Sequence, residues 1–101
     1  MKTAIELAGM KAANVFVVSI PDYGYTPFGK SRQSEISAAI DKFNAINKRI
    51  SGNLGVKYID ITDISRKGLD QPELVARDGL HPSGKMYSLW VERIAKAIVN
   101  R

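Results

Sequence analysis

Asp78-Gly79-Leu80-His81-Pro82 places the only histidine of this 101-residue chain three residues after an aspartate. Side chains three residues apart can meet on one turn of chain. A carboxylate in that position can hold an imidazole N–H and decide which ring nitrogen carries the proton, as general acid–base transfer requires. Gly79 allows a tight turn between the two without a Cβ clash. Pro82 biases His81 toward extended backbone and suits the first position of a following helix. His81 is therefore expected on a loop at a helix N-terminus. There the carboxylate favours the charged ring and the helix dipole the neutral one.

Such a pair needs a nucleophile, and none is evident from its surroundings in sequence. Ser19, Ser31, Ser34, Ser37, Ser51, Ser65, Ser83 and Ser88 are the serines available. Ser83 reads as a helix-start residue and Ser19 as part of a strand. Tyr23, Tyr25 and Phe28 lie in a loop just past a strand's carboxyl end, where open α/β sheets place their ligand crevice. They are expected either to line a ligand pocket or to pack the loop onto the body. Asp60 and Asp63 are read as turn and helix-capping residues rather than acid–base or metal groups. Arg77 and Lys85 flank the motif and could attract an anionic substrate.

The elements that must position these residues can be read from periodicity. Residues 2–13 are expected to form a helix, stopped at Asn14. The valine-rich run 15–20 suits a strand covered on both faces, ended by Pro21. A loop over 22–29 precedes a helix from 31 or 32 to 50. Its stripe of Ile36, Ala39, Ile40, Phe43, Ile46 and Ile50 is expected to be buried, and Ser51-Gly52-Asn53 to close it. Residues 56–61 form a second covered strand. Thr62 or Asp63 would cap a short helix near Ile64. Residues 66–77 read as a loop. The last helix is expected over 83–99, with Met86, Leu89, Trp90, Ile94, Ala97 and Ile98 facing inward and Trp90 in the core.

Helix, strand, helix, strand, helix implies an α/β fold whose two strands run parallel, joined by a right-handed crossover. Two parallel strands are too few for a stable sheet, yet both read as central. The chain therefore looks like part of a larger sheet: residues 1–101 as one partial α/β domain, with no internal boundary. With 45% hydrophobic and 25% charged residues, it fits a globular domain or a piece of one. Without cysteine, disulfides, thiolate zinc sites and cysteine nucleophiles are excluded. A single histidine argues against a histidine-rich metal site, so no metal or cofactor is expected. The net charge of +5 raises nucleic acid as a partner. The basic residues are dispersed, however, and no nucleic-acid partner is expected. No run approaches the ~20 apolar residues of a membrane span. Residues 1–10 lack the zones of a secretory signal, and the compartment stays open.

The block from Asp78 to Pro82, followed by Ser83-Gly84-Lys85-Met86-Tyr87, resembles the last conserved block of the SGNH, or GDSL-like, hydrolases. Residues 15–21 resemble that family's fourth strand with the proline after it, and residues 56–61 its fifth strand. The resemblance implies a three-layer flavodoxin-like fold and ester or thioester hydrolysis by a Ser-His-Asp triad, with Asp78 the orienting acid and His81 the general base. The family's Gly-Asp-Ser block, its glycine block and its Gly-x-Asn-Asp block have no counterpart here. On this reading the chain is the C-terminal half of a serine ester hydrolase, lacking the N-terminal strands and starting near the family's third helix. It would be inactive alone, and would self-associate or bind a complementing N-terminal half. The rival readings are a non-catalytic interaction module and a small basic nucleic-acid binder.

Overall fold

The computed structural model describes residues 15–99 together with Ala4, Glu6 and Gly9. Apart from those three residues, the helix expected over 2–13 and its stop at Asn14 lie outside the described residues. Two parallel strands, β1 (Phe16–Val18) and β2 (Lys57–Ile59), pair in the register Phe16 to Lys57, Val17 to Tyr58 and Val18 to Ile59. Three α-helices accompany them: α1 (Gln33–Asn53), α2 (Thr62–Ser65) and α3 (Gly84–Val99). Short 3-10 turns occupy Tyr23–Tyr25, Lys30–Arg32 and Pro72–Leu74. The fold is mixed α/β and compatible with part of a flavodoxin-like sheet architecture.

Both strands are shorter than the hydrophobic runs suggested, and neither is covered on both faces. Val18 and Ile20 remain 41% and 38% exposed, while Val15, Val56, Ile59 and Ile61 are buried. A strand is buried twice only where elements pack on each face, and the exposure of Val18 and Ile20 shows that β1 is not fully covered. The α1 stripe is likewise only partly covered. Ile36 and Ile40 are buried, but Phe43, Ile46, Ile50 and Ala39 face solvent. Periodicity identifies an apolar face; it does not say whether a neighbour is present to cover it.

α1 ends one turn later than Gly52 would suggest. Gly55 adopts φ +71°, its N–H donates to the Gly52 carbonyl at 3.2 Å, and the Val56 N–H reaches Ser51 at 2.8 Å. This is the paired bonding of a Schellman cap, which needs a left-handed residue at Gly55 and none at Gly52. α2 starts after Ile61, which offers no side-chain cap, so neither Thr62 nor Asp63 caps it. Instead Asp60 Oδ1 accepts from the Thr62 N–H at 2.9 Å, and Asp63 pairs with Arg93. Ser19 joins the two strand ends. Its hydroxyl donates to Asp60 Oδ1 at 3.1 Å and accepts the Ile61 and Thr62 N–H groups at 2.8 and 3.1 Å.

Ile64, Leu74 and Met86 form the core under the site, with Leu89 and Trp90 packed against them. Leu74, in the segment read as a loop, is completely buried. Trp90 borders this core and is only half-buried. Burying a leucine fully is worth about 2 kcal/mol, enough to seat this segment, whose regular structure is the 3-10 turn Pro72–Leu74, against α3.

Candidate active site

The Asp78–His81 turn is built from its own bonds. Asp78 Oδ1 accepts the backbone N–H groups of Leu80 at 2.9 Å and His81 at 3.0 Å. The other oxygen, Oδ2, pairs with His81 Nδ1. The Leu80 N–H, the imidazole and the His81 N–H together hold the Asp78 carboxyl well below its ordinary range, at about 2. It is therefore a carboxylate at any physiological pH. With Nδ1 taken, His81 presents Nε2, which has no partner among the described residues. The ring is 70% exposed and Asp78 49% exposed.

Backbone contacts fasten the ends of this turn. Gly79 adopts φ +75°, a left-handed conformation that favours glycine. Its N–H donates to the Ala76 carbonyl at 3.0 Å, and the Ala76 N–H to the His81 carbonyl at 2.8 Å. Val75 and Pro82 form an antiparallel bridge. Pro82 therefore precedes α3 rather than opening it, because its residue pairs with Val75. Ser83 stands at the helix start, its Oγ accepting the Met86 N–H at 3.3 Å and donating to the Glu73 carbonyl at 2.7 Å. Lys85 lies 3.6 Å from Glu73 in an exposed ion pair.

His81 lines a cavity of about 470 Å³ whose walls are mostly aliphatic and aromatic: Ile20, Leu74, Leu80, Met86 and Trp90 among them. That volume and character fall within the range of small-ligand sites. Tyr23 and Phe28 line the same cavity and Tyr25 does not. The Tyr25 carbonyl instead abuts Gly68, where a Cβ would come within 2.4 Å of the oxygen.

Among the described residues Ser65 is the one serine lining this cavity, and its hydroxyl is committed. It donates to the Thr62 carbonyl at 2.5 Å and accepts the Asp22 N–H at 2.8 Å. Ser19, Ser37, Ser51, Ser83 and Ser88 donate to Asp60, Asp22, Asn47, Glu73 and Gly84 respectively. Ser31 and Ser34 are exposed and do not line the cavity. No cluster of three His, Asp or Glu side chains that could hold a metal ion occurs among the described residues. No helix among them is long and apolar enough to cross a membrane.

Sequence reasoning missed Asp22. Its side chain is fully buried, with Oδ1 accepting the Gly24 N–H at 2.8 Å. Oδ2 accepts from Ser37 at 2.5 Å and from Arg66 Nε at 3.0 Å. Arg66 also reaches Asp41 at 2.6 Å. This anchor fixes the loop carrying Tyr23 and Phe28. The one local signal was Asp22-x-Gly24, an aspartate able to bond the amide two residues on.

A model of the GDSL-like Lipase/Acylhydrolase family matches residues 1–89. No curated protein and no solved structure matches the chain.

Proposed function

The chain belongs to the GDSL-like lipase/acylhydrolase family, and from that premise we propose that it supplies the acid–base half of a serine ester hydrolase. His81 Nε2 removes the proton from a serine hydroxyl as its oxygen bonds to the ester's carbonyl carbon. The protonated ring then gives that proton to the departing alcohol. A water deprotonated by the same nitrogen releases the acid and frees the serine. Asp78 keeps Nδ1 protonated and stabilises the charged ring. No cofactor enters this sequence. The cavity beside His81 takes the acyl chain or the leaving group, with Tyr23 and Phe28 in contact and Tyr25 holding the loop.

The observation that carries this reading is the imidazole held by Asp78 at Nδ1, with Nε2 unpartnered among the described residues, in a residue that lines an apolar cavity. Six of the serines are hydrogen-bonded and Ser31 and Ser34 lie away from the cavity, which supports a nucleophile supplied from outside these residues. The chain then acts as a single partial α/β domain, 1–101, inactive alone. A complementing N-terminal half, or a second copy, covers its exposed apolar side chains.

Hydrolysis of a small aryl ester tests it. The chain alone is expected to show negligible turnover. Adding an N-terminal half of a family domain that carries the Gly-Asp-Ser block restores turnover, and His81→Ala removes it. Turnover in the mixture that survives His81→Ala would contradict the assignment. A stable complex without turnover would favour the non-catalytic interaction module.

A further inference from the structure

We propose that the turn at residues 26–28 is a brace for the Asp78–His81 pair, with the Pro27 ring and the Phe28 peptide N–H as positioning groups. The role in catalysis rests on the reading of Asp78 and His81 given above; the geometry does not. Both side chains of the pair are largely exposed, so packing around them cannot fix where the imidazole points. The bonds from Asp78 to Leu80 and His81 shape the turn internally, but a turn bonded only to itself can swing as a unit.

One hydrogen bond among the described residues ties residues 76–81 to a distant part of the chain. The Phe28 N–H donates to the Gly79 carbonyl at 3.0 Å. Pro27 lies against the same peptide: a Cβ on Gly79 would stand 3.4 Å from Pro27 Cβ and 3.7 Å from its Cγ. Glycine is thus required at position 79 by its φ and closely approached by the brace on its open side.

The brace is itself rigid. Thr26 Oγ1 donates to the Tyr23 carbonyl at 2.6 Å and accepts the Gly29 N–H at 3.1 Å. The Lys30 N–H reaches the Thr26 carbonyl at 2.9 Å. Below it sits the buried Asp22, bonded to Gly24, Ser37 and Arg66. Hydrogen bonds and the short chain segments between them therefore link the Asp22–Arg66 pair through Thr26 and Phe28 to the carbonyl of Gly79, one residue from Asp78 and two from His81. Displacements of about 1 Å in reacting groups can cost on the order of a hundredfold in rate, which is what such a brace prevents.

The single histidine makes the test direct. Phe28 is replaced by phenyllactic acid in the full chain, which turns the Pro27–Phe28 amide into an ester. Only the N–H is deleted and the aromatic side chain stays. The 15N shifts of His81, read well above the imidazole titration range, give the fraction of ring carrying its proton on Nδ1 toward Asp78. The parent is expected to hold Nδ1–H predominantly. The ester variant raises the Nε2–H fraction roughly fivefold, the shift that one neutral hydrogen bond supports, while the rest of the spectrum stays parent-like. Pro27→Gly, which removes the ring contact, moves the fraction in the same direction. An unchanged tautomer fraction in either variant overturns the brace. Because no turnover is read, failure here is distinct from failure of the hydrolase reading, which rests on His81-dependent ester cleavage.

Discussion

Asp22 and Asp78 begin turns of one kind and end in opposite surroundings. Each uses Oδ1 to accept backbone N–H groups just downstream: Gly24 for Asp22, Leu80 and His81 for Asp78. The second oxygen makes the difference. Asp22 Oδ2 is spent on Ser37 and Arg66 inside the protein, with no exposed side-chain surface. Asp78 Oδ2 is spent on an exposed imidazole whose far nitrogen is left unused. A buried carboxylate with every acceptor satisfied can only hold structure. A carboxylate that orients a ring and leaves its other edge open can pass on an effect to a reactant. The two turns meet at the Phe28–Gly79 hydrogen bond, through which, on the reading proposed above, the buried aspartate would support the exposed one.

Substitutions should separate the two. His81→Ala is expected to lower complemented ester turnover by about 10⁶-fold, the scale seen when a triad base is deleted, with little change in melting because the ring is exposed. Asp78→Asn should cost about 10⁴-fold, since an amide can still accept the turn's N–H groups but no longer stabilises the charged ring. A melting temperature near the parent's would accompany it. Asp22→Ala should do the reverse. Urea unfolding is expected to show a loss of about 3 kcal/mol, because Arg66 and Ser37 lose a buried partner. If Asp22→Ala left stability intact, the contrast between the two aspartates would fail.

The smallest effect concerns acid. The Asp78 carboxyl lies at about 2 in the fold against an ordinary value of 3.8. A lowered carboxyl stabilises the fold above its ordinary value and loses that contribution as pH falls through the folded one. The turn at 78–81 should therefore loosen between pH 3.8 and about 2. Amide shifts of Leu80 and His81 should report it, moving together within that window. Movement centred well above it would mean that these N–H groups do not set the Asp78 carboxyl.

The Asp78–His81 pair was legible because its partners lie three residues apart. α3 and the inward Met86 followed from periodicity, and the parallel strand pair from the order of the elements. Asp22 was not legible, because its burial depends on Arg66, 44 residues away. Leu74 hid for a similar reason: Pro72 and nearby charged residues read as loop, yet α3 and α2 close over it. The Gly55 cap could not be told from Gly52, since only the fold decides which glycine turns left-handed. The exposed Phe43 and Ile46 mark the limit of periodicity, which shows a face but not its neighbour. Phe28 and Gly79 are 51 positions apart, and no local pattern announces their bond.

Labelling with a fluorophosphonate, which forms a stable adduct on an activated serine, tests the central claim most directly. Mass spectrometry of the chain alone should find no adduct on any of its eight serines. With a complementing N-terminal half present, the adduct should fall on that half's serine and vanish with His81→Ala. A His81-dependent adduct on a serine of this chain would contradict the account.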